Sequence, residues 1–449
     1  MSAVPQWNAA APASSAGERW RDWLDRQSGR LFIAPAVLVI LAFSIFPLGV
    51  SALLSVSRFS LQPGGWALDF VGALNYRKLI AGSQQYHFLG TQGEMPALGW
   101  LVLALCVVGL GAGFARTLRG AAPARRIAAA GIAGVVCLAA AALLAPLGPF
   151  QPSTGRLIEA TDLPWFVWLV TVFAGLVAVA WGVRRALPSS AGLAGWCGRL
   201  VAGTAALLFV LLVLGTAGAG GQQGSMLTTL FYVVGGIVLQ FALGLGLAML
   251  CAQHIRGRSF FRLSFFLPLM VTPVGVAYTF RMLADMSVGP LSPVARFFGL
   301  GALTWAEDAW SARWVILLSD TWQWTPFMFI VLLAAIESQS REQVEAAQLD
   351  GASSWRIFRD ITWPGIAPSA AALVLIRLIE GMKIVDLPNV LTNGGPGIAT
   401  ESMTLHAFIE WRALNLGGSA AVAYMLLFVA TISAVGFFHF AVRPARGPQ

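Results

Sequence analysis

Apolar residues in this chain fall in long runs rather than in alternation. A helix needs about 20 predominantly apolar residues to cross a bilayer, and Leu31 to Ser57 supplies such a stretch without a charge. Similar runs follow at 96–115, 127–147, 163–183, 200–217, 226–252, 262–283, 313–336, 367–387 and 419–440. The uncharged stretch from Leu200 to Gln253 is far too long for one crossing, so it divides at the Gly-Gly-Gln-Gln-Gly run of Gly220 to Gly224. The pattern predicts an all-α, polytopic membrane helix bundle of about ten spans.

The polar gaps between the runs supply an orientation. Arg116, Arg119, Arg125 and Arg126, then Arg184, Arg185 and Arg199, then Arg256, Arg258 and Arg262 fall in alternate gaps, as do the 338–366 segment and the terminal Arg443 and Arg446. Cationic loops are retained on the cytoplasmic side, which places the tails 1–30 and 442–449 in the cytoplasm. The first 30 residues lack the short apolar core and small-residue cleavage site of a signal peptide.

Composition agrees with this reading. Hydrophobic residues make up 57% of the chain and charged residues 11%, against about 25% charged in soluble domains. The net charge of +9 sits in short arginine-bearing gaps, which argues for a lipid bilayer as partner and against nucleic acid. Cys106, Cys137, Cys197 and Cys251 have neither metal nor redox spacing and are expected to be small packing residues. His87, His254, His406 and His439 are scattered without ligand spacing, so no metal or cofactor site is predicted. The chain also lacks the Gly-x-x-x-x-Gly-Lys phosphate loop. ATP hydrolysis would have to come from a separate polypeptide, and the chain reads as a transport subunit rather than an enzyme.

One inner loop differs from the rest. Arg341 to Leu349 has good helix formers and an acidic first turn, and Gly351 suits the left-handed residue after a helix end. Ser353 or Ser354 can cap a second short helix running to Asp360. Pro364 is expected to end that helix, with Pro368 in the first turn of the next span. Two short helices around a glycine elbow are therefore predicted on the cytoplasmic face.

The residues of this loop, Glu345, Ala346, Ala347, Asp350, Gly351, Ala352, Phe358 and Pro364, resemble the EAA loop of permease subunits in binding-protein-dependent ABC importers. The longer pattern is similar to the carbohydrate branch, typified by the maltose and glycerol-phosphate permeases. Trp363 stands where that branch commonly has leucine. Phe70 to Tyr76, Thr229 to Val233, and Leu391 to Gly397 with Thr400 are also similar to segments of these permeases, although Thr228 occupies a position where asparagine is usual. The resemblance covers about 31–88 and 226–441. It implies a six-span type I importer core, with coupling helices that dock on an ABC ATPase dimer. A second permease subunit and a substrate-binding protein outside the membrane are implied too. By resemblance, Glu345 would pair with an ATPase cation and Gly351 would set the elbow. The block 89–225 falls outside the resemblance and reads as about four inserted spans, an even number that leaves the orientation of the core unchanged.

Charges inside spans are costly, about 2.5–3.5 kcal/mol each on insertion scales. Arg377, Glu380, Lys383 and Asp386 lie in the run 367–387, where Glu380–Lys383 and Lys383–Asp386 would share a helix face. Asp320 and Gln323 occupy the preceding span. These residues are candidates to line a translocation path, or else to neutralise one another against neighbouring helices. A secondary transporter would show inverted repeats, and no internal repeat is visible. A membrane-embedded transferase would need clustered acids or histidines. Asp285, Glu307, Asp308, Glu401, His406 and Glu410 follow no recognisable catalytic spacing.

Overall fold

The computed structural model describes residues 33–95, 99–101, 105, 151–152, 209–210, 212–216, 221–253, 258–285, 288–297 and 305–438. Among them, helices α1 (Ile33–Ser55), α4 (Ser225–Ala252), α8 (Ala309–Glu337), α10 (Ser354–Gly381) and α13 (Leu416–Phe437) are long and apolar enough to cross a membrane. A sixth crossing is available if the bent pair α5 (Arg258–Met270) and α6 (Pro273–Ala284) acts together. The shorter helices are α2 (Leu74–Ala81), α3 (Gln85–Phe88), α7 (Ser292–Phe297), α9 (Arg341–Leu349), α11 (Asp386–Thr392) and α12 (Met403–Arg412). The spans predicted at 96–115, 127–147, 163–183 and 200–217 lie mostly outside the described residues.

The bundle is organised around α4 and α8. Gly235 faces Leu317, Gln240 faces Asp320, and Gly244 faces Met328, so partners advance together and the two helices run parallel. A Cβ on Gly244 would sit 2.6 Å from the Met328 Cβ and 3.0 Å from the Phe329 amide nitrogen. In the membrane, where burial from water no longer drives association, such close backbone approach provides the packing. Ala248, Cys251, Met328, Phe329, Leu332, Ile366 and Leu373 form the core at one end of these helices. Tyr232, Ile316, Leu317, Leu387 and Leu391 form it toward the other.

Two predicted spans are altered. The run 262–283 is not one straight helix: α5 and α6 meet at 100°. Pro273 confines Thr272 to an extended backbone (φ −64°, ψ 147°), and the Thr272 hydroxyl caps α6 by accepting from the Gly275 amide. The run 367–387 is also wrong at both ends. Its helix begins back at Ser354 and stops at Gly381, so Lys383 and Asp386 do not share a helical face.

The chain outside the bundle is stitched to it by polar side chains. Strands β1 (Ser57–Gln62) and β2 (Gly65–Phe70) form an antiparallel hairpin after α1. Asn75 is buried and donates to the carbonyls of Ser55 (2.9 Å) and Ser57 (3.0 Å), closing the end of α1. Gly417 leaves room for that contact, since a Cβ there would lie 2.2 Å from the Ser57 oxygen. Gly90–Thr91 pairs antiparallel with Gln222–Gln223, so the chain before Gly90 and the chain entering α4 lie side by side.

Candidate functional site

Two features of this fold carry chemistry, one buried between the spans and one projecting from their end. The buried feature begins with Gln240, about 22 Å along α4 from Ser225 at 1.5 Å per residue. Its Nε2 donates to Oδ2 of Asp320 on α8 (2.9 Å) and to the Asp320 backbone carbonyl (3.2 Å). Arg377 on α10 donates through Nε to the Gln240 Oε1 (2.8 Å) and through Nη2 to the Asp320 carboxylate. Its guanidinium also lies 4.7 Å from the centre of the Trp324 ring. All three polar residues are buried. A Cβ on Gly236 would come within 3.0 Å of the Asp320 carboxylate, so that glycine makes room for the cluster.

Asp320 and Arg377 are paired with each other in this arrangement. Their charges neutralise each other, and the Gln240 amide bridges the pair as donor to one and acceptor from the other. Three helices, α4, α8 and α10, are thereby tied through buried side chains, where an unpaired charge would be costly. The sequence reading missed Gln240. A lone glutamine in an otherwise apolar run, one turn after a glycine, was the available signal. Glu380 and Lys383 behave differently: they form an ion pair of 2.7 Å on the exposed surface. Gln323 is buried at the α5–α6 bend, donating to the Val271 carbonyl (3.3 Å), and its Oε1 has no partner.

The projecting feature is the elbow. Helix α9 buries no residue, and Asp350 closes it. The Gly351 amide donates to the Gln348 carbonyl (3.0 Å) and the Ala352 amide to the Ala347 carbonyl (2.9 Å). That pair of bonds is the Schellman termination, which needs a left-handed residue, and Gly351 supplies it with φ +77°. Ser353 then caps α10 through the Arg356 amide (3.4 Å). Glu345, Ala346 and Asp350 are exposed, and Ala347, Ala352 and Phe358 are half-buried. Leu349 is 90% exposed and Trp355 68% exposed.

Pro364 does not end the second helix as the sequence predicts. Phe358–Thr362 forms a π-turn, and the Trp363 amide bonds the Phe358 carbonyl. The extra residue in this wider turn relieves the clash between a proline ring and the carbonyl one turn earlier. Helix α10 therefore continues past Pro364 and Pro368 to Gly381. On the opposite side, Gln339 donates to the Thr362 carbonyl (2.8 Å) and fixes the elbow to the end of α8.

A polytopic bundle with neutralised charges between its spans and an exposed apolar elbow at one end defines an integral membrane transport subunit. The chain belongs to the family of binding-protein-dependent transport system inner membrane components, whose pattern matches residues 240–446. It is a transport component rather than an enzyme. It is 32% identical over 197 residues to the trehalose/maltose transport system permease protein MalF of Thermococcus litoralis, a match covering 44% of this chain and 66% of that protein. A probable ABC transporter permease protein of Sinorhizobium fredii is 31% identical over 46% of this chain and 67% of its own length. Another, from Pyrococcus horikoshii, is 30% identical over 49% of this chain and 75% of its own. The chain thus spans about two thirds to three quarters of these relatives.

Proposed function

We propose that this chain is the permease subunit of an ABC importer, forming the path for a carbohydrate that a separate binding protein delivers. The elbow is the observation that carries the proposal: Leu349 and Trp355 stand exposed on its two arms, Arg341–Leu349 and Ser354–Ile357, neither of which buries a residue. Large apolar side chains held out on a capped turn are suited to a partner's cleft. Glu345, Ala346, Ala347, Asp350, Gly351, Ala352 and Phe358 would form the surface that docks on a dimeric ATPase, with Pro364 in the helix behind it. The MalF relative, a trehalose/maltose permease, supports a carbohydrate as cargo.

Helices α1, α4, α5 with α6, α8, α10 and α13 would be the six spans of the core, with both termini and the elbow in the cytoplasm. The block 89–225 would be an insertion. Pairing of Gly90–Thr91 with Gln222–Gln223 supports that reading, because the chain leaves and returns at one place. A second permease subunit would complete the path, to which the exposed Glu380 and Lys383 and the unpartnered Gln323 oxygen are candidate contributors. ATP binding would close the ATPase dimer, move the elbow and open the path toward the binding protein. Hydrolysis would reset it.

The test is recovery of partners from mild detergent with the tagged wild type, Glu345→Ala and Leu349→Glu. Wild type is expected to bring down an ATPase and a second permease, and the variants to bring down less ATPase with the permease retained. Absence of any ATPase from a folded wild-type preparation would overturn the proposal.

A further inference from the structure

The end of the bundle farthest from the elbow holds a cluster that the transport reading does not use. Glu401 lies in the loop before α12, His406 in the first turns of α12, and His87 on α3. Glu401 and His406 are buried, whereas the His87 side chain is 29% exposed. Their potential ligand atoms lie within 4.8 Å of one another. The His87 Nδ1 is 3.6 Å from Glu401 Oε2, and the His406 Nδ1 is 3.6 Å from Glu401 Oε1. These gaps exceed hydrogen-bond length. Both Glu401 Oε1 and His87 Nδ1 are in fact buried without a hydrogen-bond partner.

An unpaired carboxylate oxygen, 96% of its side chain removed from solvent, is costly to keep. Spacings too long for a hydrogen bond do match the edge of a coordination tetrahedron, about 3.3 Å for metal bonds of about 2.0–2.1 Å. Ser225 Oγ lies 3.2 Å from the His406 Nδ1, a hydrogen bond that a cation on this nitrogen would replace. The other ring nitrogen, Nε2, faces Glu410 Oε1 at 3.9 Å. Glu410 is itself held by Gln84 (2.7 Å) and by Asn415. A carboxylate that accepts from a ligating imidazole is the usual outer support of a metal-bound histidine, and Glu410 would take that role once the 3.9 Å gap closes on binding.

We infer that His87, Glu401 and His406 form a binding site for a zinc-class divalent cation, with a fourth position open on the His87 side. Two imidazoles and one carboxylate suit Zn²⁺ and its neighbours, whereas Ca²⁺ and Mg²⁺ require oxygen-rich shells. The cation would neutralise Glu401 and clasp the α3 segment to the start of α12. It would therefore sit next to the point where residues 90–91 meet 222–223.

The test uses the full chain carrying a tag without histidine, stripped by a chelator and titrated with Zn²⁺ against a chromophoric competitor. Wild type is expected to take one Zn²⁺ per chain. Glu410→Gln, an outer partner, should weaken binding about 10–100-fold, and Glu401→Gln or His406→Asn should weaken it more than that. His87→Gln alters the most exposed ligand; it should lose affinity while its metal-free melting temperature stays that of wild type. Zinc-edge absorption should show only nitrogen and oxygen neighbours near 2.0 Å. Wild-type affinity equal to that of His87→Gln, or a wild type that takes no Zn²⁺ at micromolar concentration, would overturn the inference.

Discussion

Asp320→Asn is the sharpest perturbation of the buried cluster, because it preserves shape and removes one charge. Arg377 would then face an amide in place of the carboxylate. Breaking a buried ion pair from one side typically costs about 3–5 kcal/mol, since the remaining charge is left uncompensated. Here Arg377 keeps its 2.8 Å bond to Gln240 and the Trp324 ring at 4.7 Å. A cation–π contact out of water contributes about 2 kcal/mol, so a loss near the lower end, about 3 kcal/mol, is expected. Arg377→Met removes the other charge and should cost about as much or more, since Asp320 would keep only the Gln240 amide. The double variant Asp320→Leu/Arg377→Met leaves no charge buried and should recover most of the loss, ending closer to wild type than either single variant. Unfolding in mixed micelles can be followed by tryptophan fluorescence, with Trp324 as a reporter beside the pair. A single variant within about 0.5 kcal/mol of wild type, or a double variant as unstable as the worse single, would refute the account.

Gly244→Ala should separate the parallel helices. Its Cβ would meet backbone-proximal atoms of α8 at 2.6–3.0 Å, so a loss of about 1–3 kcal/mol is expected in thermal melting, and Gly246→Ala, which meets nothing within 4 Å, serves as control. Gly351→Val meets nothing sterically either, but forces a β-branched residue to φ +77°. About 1–2 kcal/mol of strain should redirect the elbow, seen as ATP turnover without uptake while the bundle melts as in wild type.

Much of this architecture is written in the chain because lipid imposes a simple rule: the backbone must satisfy itself, and apolar length reports a crossing. Hence α4, α8 and α13 emerge close to their predicted limits. The elbow was legible for a local reason, as Gly351 and the Ser353 cap act through bonds to near neighbours. What failed was the reading of proline. Pro364 was assigned as a terminator, yet a π-turn absorbs it and the span starts at Ser354. The bend between α5 and α6 was missed for the opposite reason, since hydropathy does not register a change of direction. Long-range pairing was the least visible of all. Nothing in the spacing of Gln240, Asp320 and Arg377 announces their meeting, because separate helices bring them together, and His87 likewise reaches Glu401 and His406 from a distant part of the chain.

The continuation of α10 past Pro364 and Pro368 has a mechanical consequence. Trp355 at the elbow and Arg377 in the buried cluster are 22 residues apart on one helix, about 33 Å at 1.5 Å per residue. Such an element acts as a lever arm. Pivoting it by about five degrees at the elbow displaces the guanidinium by about 3 Å, enough to carry the 2.8 Å contact with Gln240 well beyond bonding distance. A push on the elbow by a partner would thus reach, across the π-turn at Phe358–Thr362, the bond that joins α4, α8 and α10.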